Sequence, residues 1–188
     1  TAAAQIETAD NHDWHGVRAR DGHVFERTTD HEHRHKEDAA IISSLAPAYR
    51  MGVSWSRLQR APFEPFDPQV TAEYISLMED LRSRQVTIMM VLHHFTNPRW
   101  FSEMGGWEQA KNIDYFIDFG KKVVKAFGPY VHQWNTFNEP NVYVSNGWLN
   151  GFFPPFRVNP LLALRVIRNL GTAHDRMYHE IKEHYPGH

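Results

Sequence analysis

Short apolar segments alternate with longer stretches of helical periodicity along this chain. The clearest strand pattern covers residues 86–92, a nearly continuous apolar run of the kind found where both faces of a strand are covered. Residues 49–55 and 131–137 also have the composition of strands. A fourth strand is predicted at residues 2–6, where only its place in the pattern favours it.

Helix signals fill the intervals between these strands. Asp67-Pro68 and Asn159-Pro160 each place a capping residue before a proline at the first helical position. Another helix is expected from Asn112 to a stop at Gly128-Pro129, and a shorter one at residues 37–45. The helix after Asp67 carries an apolar stripe at helical spacing, formed by Val70, Tyr74, Leu77, Met78 and Leu81.

The predicted order is therefore strand then helix, four times. This alternation favours an α/β fold in which helical crossovers join parallel strands and ligands bind at the carboxyl ends of the strands. Four units are too few to close an eight-stranded TIM barrel, so we expect a small open sheet or half of such a barrel. Because no linker-like segment divides the 188 residues, residues 1–188 are expected to form one domain.

Composition narrows the classes of function. Lys and Arg number 20 against 22 Asp and Glu, so a net charge of −2 gives no positive field for nucleic acid or an anionic membrane. The chain has no cysteine, which excludes disulfides, thiolate metal sites and a cysteine nucleophile. With no signal-peptide pattern at the first residues, this composition favours a cytoplasmic location. We expect no cofactor.

One carboxylate occupies a position suited to chemistry, at the end of the last predicted strand. Glu139 precedes Pro140, which has no backbone N–H with which to continue a strand ladder. A glutamate that leaves a parallel sheet at its carboxyl end can serve as a proton donor. The alternative is a strand-end glutamate that only faces solvent.

A more specific signal comes from motifs that occur in a fixed order. They are residues 3–7 (AAQIE), residues 49–58 (YRMGVSWSRL), residues 91–100 (VLHHFTNPRW), Gly105-Gly106-Trp107, Asn138-Glu139-Pro140 and Ala173-His174. In this order they resemble the motifs of glycoside hydrolase family 1, the β-glucosidase family. The resemblance extends over the whole chain.

The resemblance implies an eight-stranded (β/α) barrel that hydrolyses β-glycosidic bonds with retention of configuration. Retaining enzymes need two carboxyl groups about 5–5.5 Å apart, one that protonates the leaving oxygen and one that attacks the anomeric carbon. By resemblance Glu139 is the general acid/base. No segment here resembles the nucleophile motif, which the family carries after strand seven. Residues 1–188 thus correspond to barrel units 1–4, and the carboxyl-terminal half is absent.

The resemblance also assigns residues that bind substrate. Asn138 is expected to hydrogen-bond the 2-hydroxyl of the sugar, and Gln5 and His94 to bind hydroxyls on the far side of the ring. Trp100 is expected to stack on a sugar face. Arg57 is expected to lie near the nucleophile and keep it ionised, and the alternative for Arg57 is a structural salt bridge.

Three functional hypotheses follow. The first is a β-glycosidase that is active only with its carboxyl-terminal half, supplied by the same chain or by a second one. The second is a sugar-binding or self-assembling module without turnover, in which two half-barrels dimerise to bury their sheet edges. The third and weakest is a metal protein built on His31, His33 and His35, with His12 and His15 upstream; spacing alone is a poor predictor of metal sites.

Overall fold

A parallel sheet of three strands forms the centre of the computed structural model, which describes residues 1–19 and 21–187. The strands are β1 (Ala48–Gly52), β2 (Thr87–His93) and β3 (Gln133–Phe137), hydrogen-bonded in that order. The helices are α1 (Ala3–Ile6), α2 (His31–Leu45), α3 (Trp55–Leu58), α4 (Pro68–Ser83), α5 (Arg99–Glu103), α6 (Ile113–Phe127), α7 (Pro140–Val144) and α8 (Pro160–His184).

Strand register determines which residues meet at the carboxyl edge of the sheet. β1 runs beside β2 from Ala48 opposite Thr87 to Gly52 opposite Val91. On the other side of β2, His93 lies opposite Phe137. Because both pairings are parallel, all three strands end at the same edge, as the alternating pattern predicts.

The core lies between this sheet and the helices α4, α6 and α8. One face of α6 is buried, through Ile113, Phe116, Ile117, Phe119, Gly120, Val123, Val124 and Phe127. A Cβ on Gly120 would overlap the sulfur of Met177, so the absence of a side chain lets α6 and α8 pack closely. The cap at Asp67 is formed as predicted, since its carboxylate accepts from the backbone N–H groups of Gln69 and Val70.

The prediction of a strand at residues 2–6 is wrong. Residues 3–6 form α1, in which the Glu7 N–H donates to the Ala3 carbonyl over 2.7 Å. Three consecutive alanines favour helix over strand, and only Thr1 pairs with β1, where its carbonyl accepts from the Gly52 N–H. A Cβ on Gly52 would lie 3.3 Å from the Ala3 nitrogen, so this glycine allows α1 to rest on the end of β1.

Two other boundaries differ from the prediction by three residues or more. β1 ends at Gly52, and Trp55 lies in α3, because the Ser54 side chain caps that helix by accepting from the Arg57 N–H. Helix α2 begins at His31, six residues before the predicted start. Its first turn is polar and lacks the apolar periodicity by which helices are recognised in sequence.

The sheet is open at the outer edge of β3, where no further strand pairs within the described ranges. This is the geometry of a partial barrel. Among the described residues, no helix combines the length and apolar character that spanning a bilayer requires.

Candidate active site

Polar residues lie side by side at the carboxyl ends of β2 and β3. The Asn138 N–H donates to the His93 carbonyl over 2.9 Å and so extends the strand ladder by one bond. Glu139 then leaves the strand with φ 40° and ψ 60°, a left-handed conformation that is unusual for a non-glycine residue. Its side chain is exposed at the rim of the sheet. The predicted proton donor is therefore accessible to a substrate.

Asn138 is held by charged and polar neighbours. It is buried, and its Oδ1 accepts from the Arg50 guanidinium over 2.7 Å. Its Nδ2 donates to Glu139 Oε2 over 3.4 Å. These contacts join Arg50, Asn138 and Glu139 into one group and fix the amide of Asn138, with its N–H side towards the glutamate.

Arg50 is the member of this group that the sequence analysis missed. It comes from β1, and no ion pair found among the described residues includes it. The sequence does contain a signal for this residue. Arg50 is the only Lys, Arg, Asp or Glu in the strands predicted at residues 49–55, 86–92 and 131–137. A charged residue in an otherwise apolar strand indicates a function or a specific partner.

His94 immediately follows β2 and is half-buried. Its Nδ1 is buried and has no hydrogen-bond partner. Burial and the positive charge of Arg50 lower the pKa of His94 to about 4, so the imidazole is neutral at pH 7. A neutral imidazole has one donor and one acceptor nitrogen, so a half-buried ring at the end of β2 is suited to hydrogen bonding with a hydroxyl.

Gln5 lies in α1, and its side chain is exposed. Because α1 rests on Gly52, Gln5 lies at the same edge of the sheet as Arg50, Asn138 and His94. The structure thus gathers three of the predicted sugar-binding residues at one edge, together with Glu139.

Arg57 lies elsewhere, between two carboxylates of this chain. Its guanidinium is 2.5 Å from Glu7 and 2.6 Å from Glu73. The Tyr74 hydroxyl also donates to Glu7, whose side chain is only 3% exposed. These contacts correspond to the alternative role considered for Arg57 in the sequence analysis, a structural salt bridge.

Trp100 is packed among other aromatic side chains. Its ring centroid lies 5.7 Å from that of Trp55 and 5.5 Å from that of Tyr115. Its indole N–H donates to the Gln59 carbonyl over 3.4 Å. None of these neighbours belongs to the group around Glu139, so these contacts serve packing, and stacking on a sugar stays a prediction.

The histidine-rich segment is divided between separate partners. His31 contacts Asp38 at 2.5 Å, and His33 contacts Asp30 at 2.7 Å. In the part of the chain that the structure describes, the two groups with ligand-type atoms close enough for a metal are Asp30, Glu32 and His33, and Glu180, Glu183 and His184. Neither group unites His31 with His35, the pair that helical spacing suggested.

Asn97 connects the loops around the site. Its Oδ1 accepts from the Trp107 indole (2.9 Å) and faces His93 Nε2 (3.1 Å), and its Nδ2 donates to Asp13 (2.7 Å) and to the Tyr143 hydroxyl (2.9 Å). The N-terminal loop, the end of β2 and α7 therefore meet at one buried amide. Because each group here is satisfied, the network holds the loops in one arrangement.

This network predicts how stability depends on pH. Burial lowers the pKa of His93 to about 4 from its usual 6.5, so the unfolded chain binds more protons between these values and stability falls as the pH falls. Burial raises the pKa of Asp13 to about 6 from 3.8, which has the opposite effect: its contribution is present at low pH and is lost as pH rises through 6. His12, whose pKa burial also lowers to about 4, adds to the loss in acid.

We therefore expect the free energy of unfolding to decrease between pH 7 and pH 5, with His93 alone contributing about 2 kcal/mol. His93→Gln should flatten this decrease, and Asp13→Asn should steepen it. Denaturant unfolding at both pH values measures the two slopes. Equal slopes in the two variants would contradict the assignment of the titrating groups.

Comparison with known proteins identifies the family to which this fold belongs. The family model for glycosyl hydrolase family 1 matches residues 1–188. Beta-glucosidase A of Acetivibrio thermocellus is 29% identical over 188 residues, which cover 94% of this chain and 42% of that protein. The 6-phospho-beta-galactosidase of Clostridium acetobutylicum is 30% identical over 186 residues, which cover 94% of this chain and 39% of that protein.

Solved structures of β-glycosidases are also similar to this chain. The family 1 b-glucosidase from Thermotoga maritima superposes with a TM-score of 0.91 at 28% identity, covering 97% of this chain and 44% of that one. A beta-glycosidase from Pyrococcus horikoshii superposes with a TM-score of 0.86 at 32% identity, and the match covers 95% of this chain and 43% of that one. The chain spans less than half the length of these relatives, which confirms the prediction of a partial barrel. The chain belongs to glycosyl hydrolase family 1.

Proposed function

We propose that the complete protein hydrolyses β-glycosidic bonds with retention of configuration, with Glu139 as general acid/base. The observation that carries this proposal is the group formed by Arg50, Asn138 and Glu139 at the open carboxyl edge of the sheet. It combines an accessible carboxyl group, an oriented amide and a positive charge in one place. The names of the relatives, beta-glucosidases and a 6-phospho-beta-galactosidase, support the same class of reaction.

The reaction proceeds in two steps. In the first, Glu139 gives its proton to the glycosidic oxygen while a carboxylate nucleophile, a glutamate from the remainder of the barrel, attacks the anomeric carbon. The C–O bond to the leaving group breaks, and a covalent glycosyl-enzyme forms. In the second step the Glu139 carboxylate takes a proton from water, and this water displaces the nucleophile.

The sugar is held by neutral polar groups. The Nδ2 of Asn138 points towards Glu139, so it is placed to donate to the 2-hydroxyl next to the reacting carbon. The half-buried imidazole of His94 and the exposed amide of Gln5 bind hydroxyls further along the ring.

We assign support of the nucleophile to Arg50 in preference to Arg57. Both carboxylates beside Arg57 belong to this chain, so its charge is already compensated. Arg50 lies within hydrogen-bonding distance of Asn138 and has no carboxylate partner among the described ion pairs. A half-buried guanidinium without a carboxylate partner is stabilised by a nearby anion, and the nucleophile is the anion that this reaction supplies.

The remainder of the barrel is the partner that the open edge of the sheet requires. Beside β3 and α8 lies a groove of about 640 Å3, lined by apolar and aromatic residues such as Trp134, Ile167 and Tyr178. The indole N–H of Trp134 is buried there without an acceptor. A further parallel strand and its helix, from the same chain or a second one, would pair with β3 and cover this groove.

The test is the stereochemistry of the product. The complete protein should release nitrophenol from 4-nitrophenyl β-D-glucoside, and proton NMR during the first minutes should show β-glucose before mutarotation produces the α anomer. Release of the α anomer first would contradict the proposal, because it requires direct attack by water. A protein that folds but releases no sugar from aryl β-glycosides would also contradict it.

A further inference from the structure

Helix α1, which carries the exposed side chain of Gln5, is too short to be stable by itself. It has four residues, whereas isolated helices shorter than about 12–15 residues are marginal in water. The position of α1 therefore depends on its contacts with the rest of the protein. Because the Gln5 amide lies on this short helix, the same contacts decide where the amide meets a sugar.

The start of α1 is held by the end of β1. The Gly52 N–H donates to the Thr1 carbonyl over 3.1 Å, and the Gly52 backbone lies close to that of Ala3. The three alanines that follow Thr1 are buried. These contacts fix the residues before Gln5, so a second set of contacts is needed to fix the residues after it.

The end of α1 is held by the carboxylate of Glu7, two residues after Gln5. The side chain of Glu7 is only 3% exposed. Its Oε2 accepts from the Arg57 guanidinium over 2.5 Å and from the Tyr74 hydroxyl over 2.6 Å. Since Arg57 lies in α3 and Tyr74 in α4, this one oxygen connects α1 to two other helices.

The two donors to Glu7 are themselves fixed by further partners. The Arg57 guanidinium also lies 2.6 Å from Glu73. The hydroxyl of Tyr74, a buried residue, accepts from the Ser54 N–H over 2.8 Å. A buried network whose members are satisfied has one arrangement, and removal of one charged partner from it is costly. Glu7 can therefore impose a defined position on α1.

We propose that Glu7 is a positioning residue, which through Arg57 and Tyr74 holds α1 so that the Gln5 amide meets the sugar hydroxyls. Glu7 is buried and acts through Gln5, without contact with the substrate. The inference rests on the proposed function, in which Gln5 binds hydroxyls further along the ring. Asn138, the residue assigned to the 2-hydroxyl, follows β3 and is not part of α1. Loss of Glu7 should therefore weaken recognition of one part of the sugar and leave the other part unaffected.

The test measures how the complete protein recognises single hydroxyls. The substrates are 4-nitrophenyl β-D-glucoside and its 2-deoxy, 3-deoxy and 4-deoxy analogues. The ratio of kcat/KM for the glucoside to kcat/KM for each analogue measures the contribution of one hydroxyl. Gln5→Ala shows which hydroxyl Gln5 binds, and Glu7→Gln removes the charge of Glu7 with little change of shape. Tyr74→Phe keeps the charges and removes one donor, so it replaces Glu7→Gln if that variant does not fold.

Asp118→Asn is the matched control. Asp118 lies in α6, and its Oδ2 also accepts from one cationic and one neutral side chain, those of Lys122 (2.6 Å) and Gln59 (2.9 Å). The control therefore removes the same kind of charge from the same kind of contact, at a carboxylate that does not belong to the contacts of α1.

We expect Gln5→Ala to lower the ratio for the 3-deoxy or the 4-deoxy analogue by about fivefold, the usual contribution of one neutral hydrogen bond. Glu7→Gln should lower the same ratio by about threefold or more and leave the 2-deoxy ratio unchanged. In the double variant with Gln5→Ala, the loss of Glu7 should have no further effect on this ratio, because both changes remove one interaction. Asp118→Asn should leave all three ratios unchanged.

A merely structural role of Glu7 predicts a less stable protein with unchanged ratios. Unchanged ratios in folded Glu7→Gln, or an equal loss for all three hydroxyls, would overturn the inference and leave the sugar-binding role of Gln5 intact. If Tyr74→Phe has to replace Glu7→Gln, unchanged ratios in Tyr74→Phe would overturn it in the same way. Unchanged ratios in Gln5→Ala would instead reject the role of Gln5 in the proposed function, and the inference with it.

Discussion

Replacement of Glu139 by glutamine is expected to lower kcat/KM of the complete protein for an alkyl β-glucoside by about 10³-fold. An alkoxide leaves poorly unless it is protonated, and the amide of glutamine has no proton to give at pH 7. For 4-nitrophenyl β-glucoside, whose leaving group is a weak base, the first step should be far less affected. The second step should then limit the rate, because the base that activates water is also lost. Steady-state kinetics with both substrates measure this difference.

Glu103→Gln is the matched control, because Glu103 is also an exposed glutamate and lies at the end of α5, in the segment that follows β2. It should change kcat/KM less than twofold. Neither variant should change the free energy of unfolding by more than about 0.5 kcal/mol, since exposed substitutions rarely do. Equal losses with the alkyl and the nitrophenyl substrate would argue against proton donation by Glu139.

Replacement of Arg50 by glutamine is expected to lower kcat by about 10²-fold, because one charged hydrogen-bond donor directed at a reacting group contributes about 3 kcal/mol. Loss of the positive charge should also raise the pKa of the nucleophile. The acidic limb of the kcat profile should therefore move to higher pH. Arg50→Lys keeps the charge and should restore the position of this limb, with part of the rate.

The variant Arg57→Gln distinguishes the role of Arg57 from that of Arg50. It leaves Glu7 buried with an uncompensated charge, so the free energy of unfolding should fall by about 3–5 kcal/mol. The pH profile of the molecules that remain folded should not move. If Arg57→Gln shifts the acidic limb and Arg50→Gln does not, the sequence-based assignment of Arg57 is correct and ours is wrong.

The parts of the fold that sequence predicts well are those set by burial. The apolar run at residues 86–92 corresponds to β2 with a shift of one residue. A strand that is covered on both faces must be apolar at nearly every position, so its sequence is easily recognised. The cap at Asp67 is local, and local hydrogen bonds are readable from neighbouring residues. The prediction of a strand at residues 2–6 is wrong because three consecutive alanines favour a helix more strongly than the place of the segment in the alternating pattern favours a strand.

The candidate site was predictable only in part. Glu139 and Asn138 follow a strand directly, so their position at the edge of the sheet follows from the strand itself. Whether Arg50 or Arg57 faces the site depends on Ser54, whose cap starts a helix between them and turns Arg57 towards Glu7 and Glu73. Such a change of direction depends on tertiary contacts.

The most direct test of the central claim is chemical rescue of Glu139→Ala in the complete protein. Azide needs no general base, so it should attack the glycosyl-enzyme in the space left by the carboxylate and restore turnover of 4-nitrophenyl β-glucoside. The product should be β-glucosyl azide, identified by NMR. Absence of rescue in a folded variant, or formation of the α-azide, would contradict the role of Glu139 as the acid/base of a retaining enzyme.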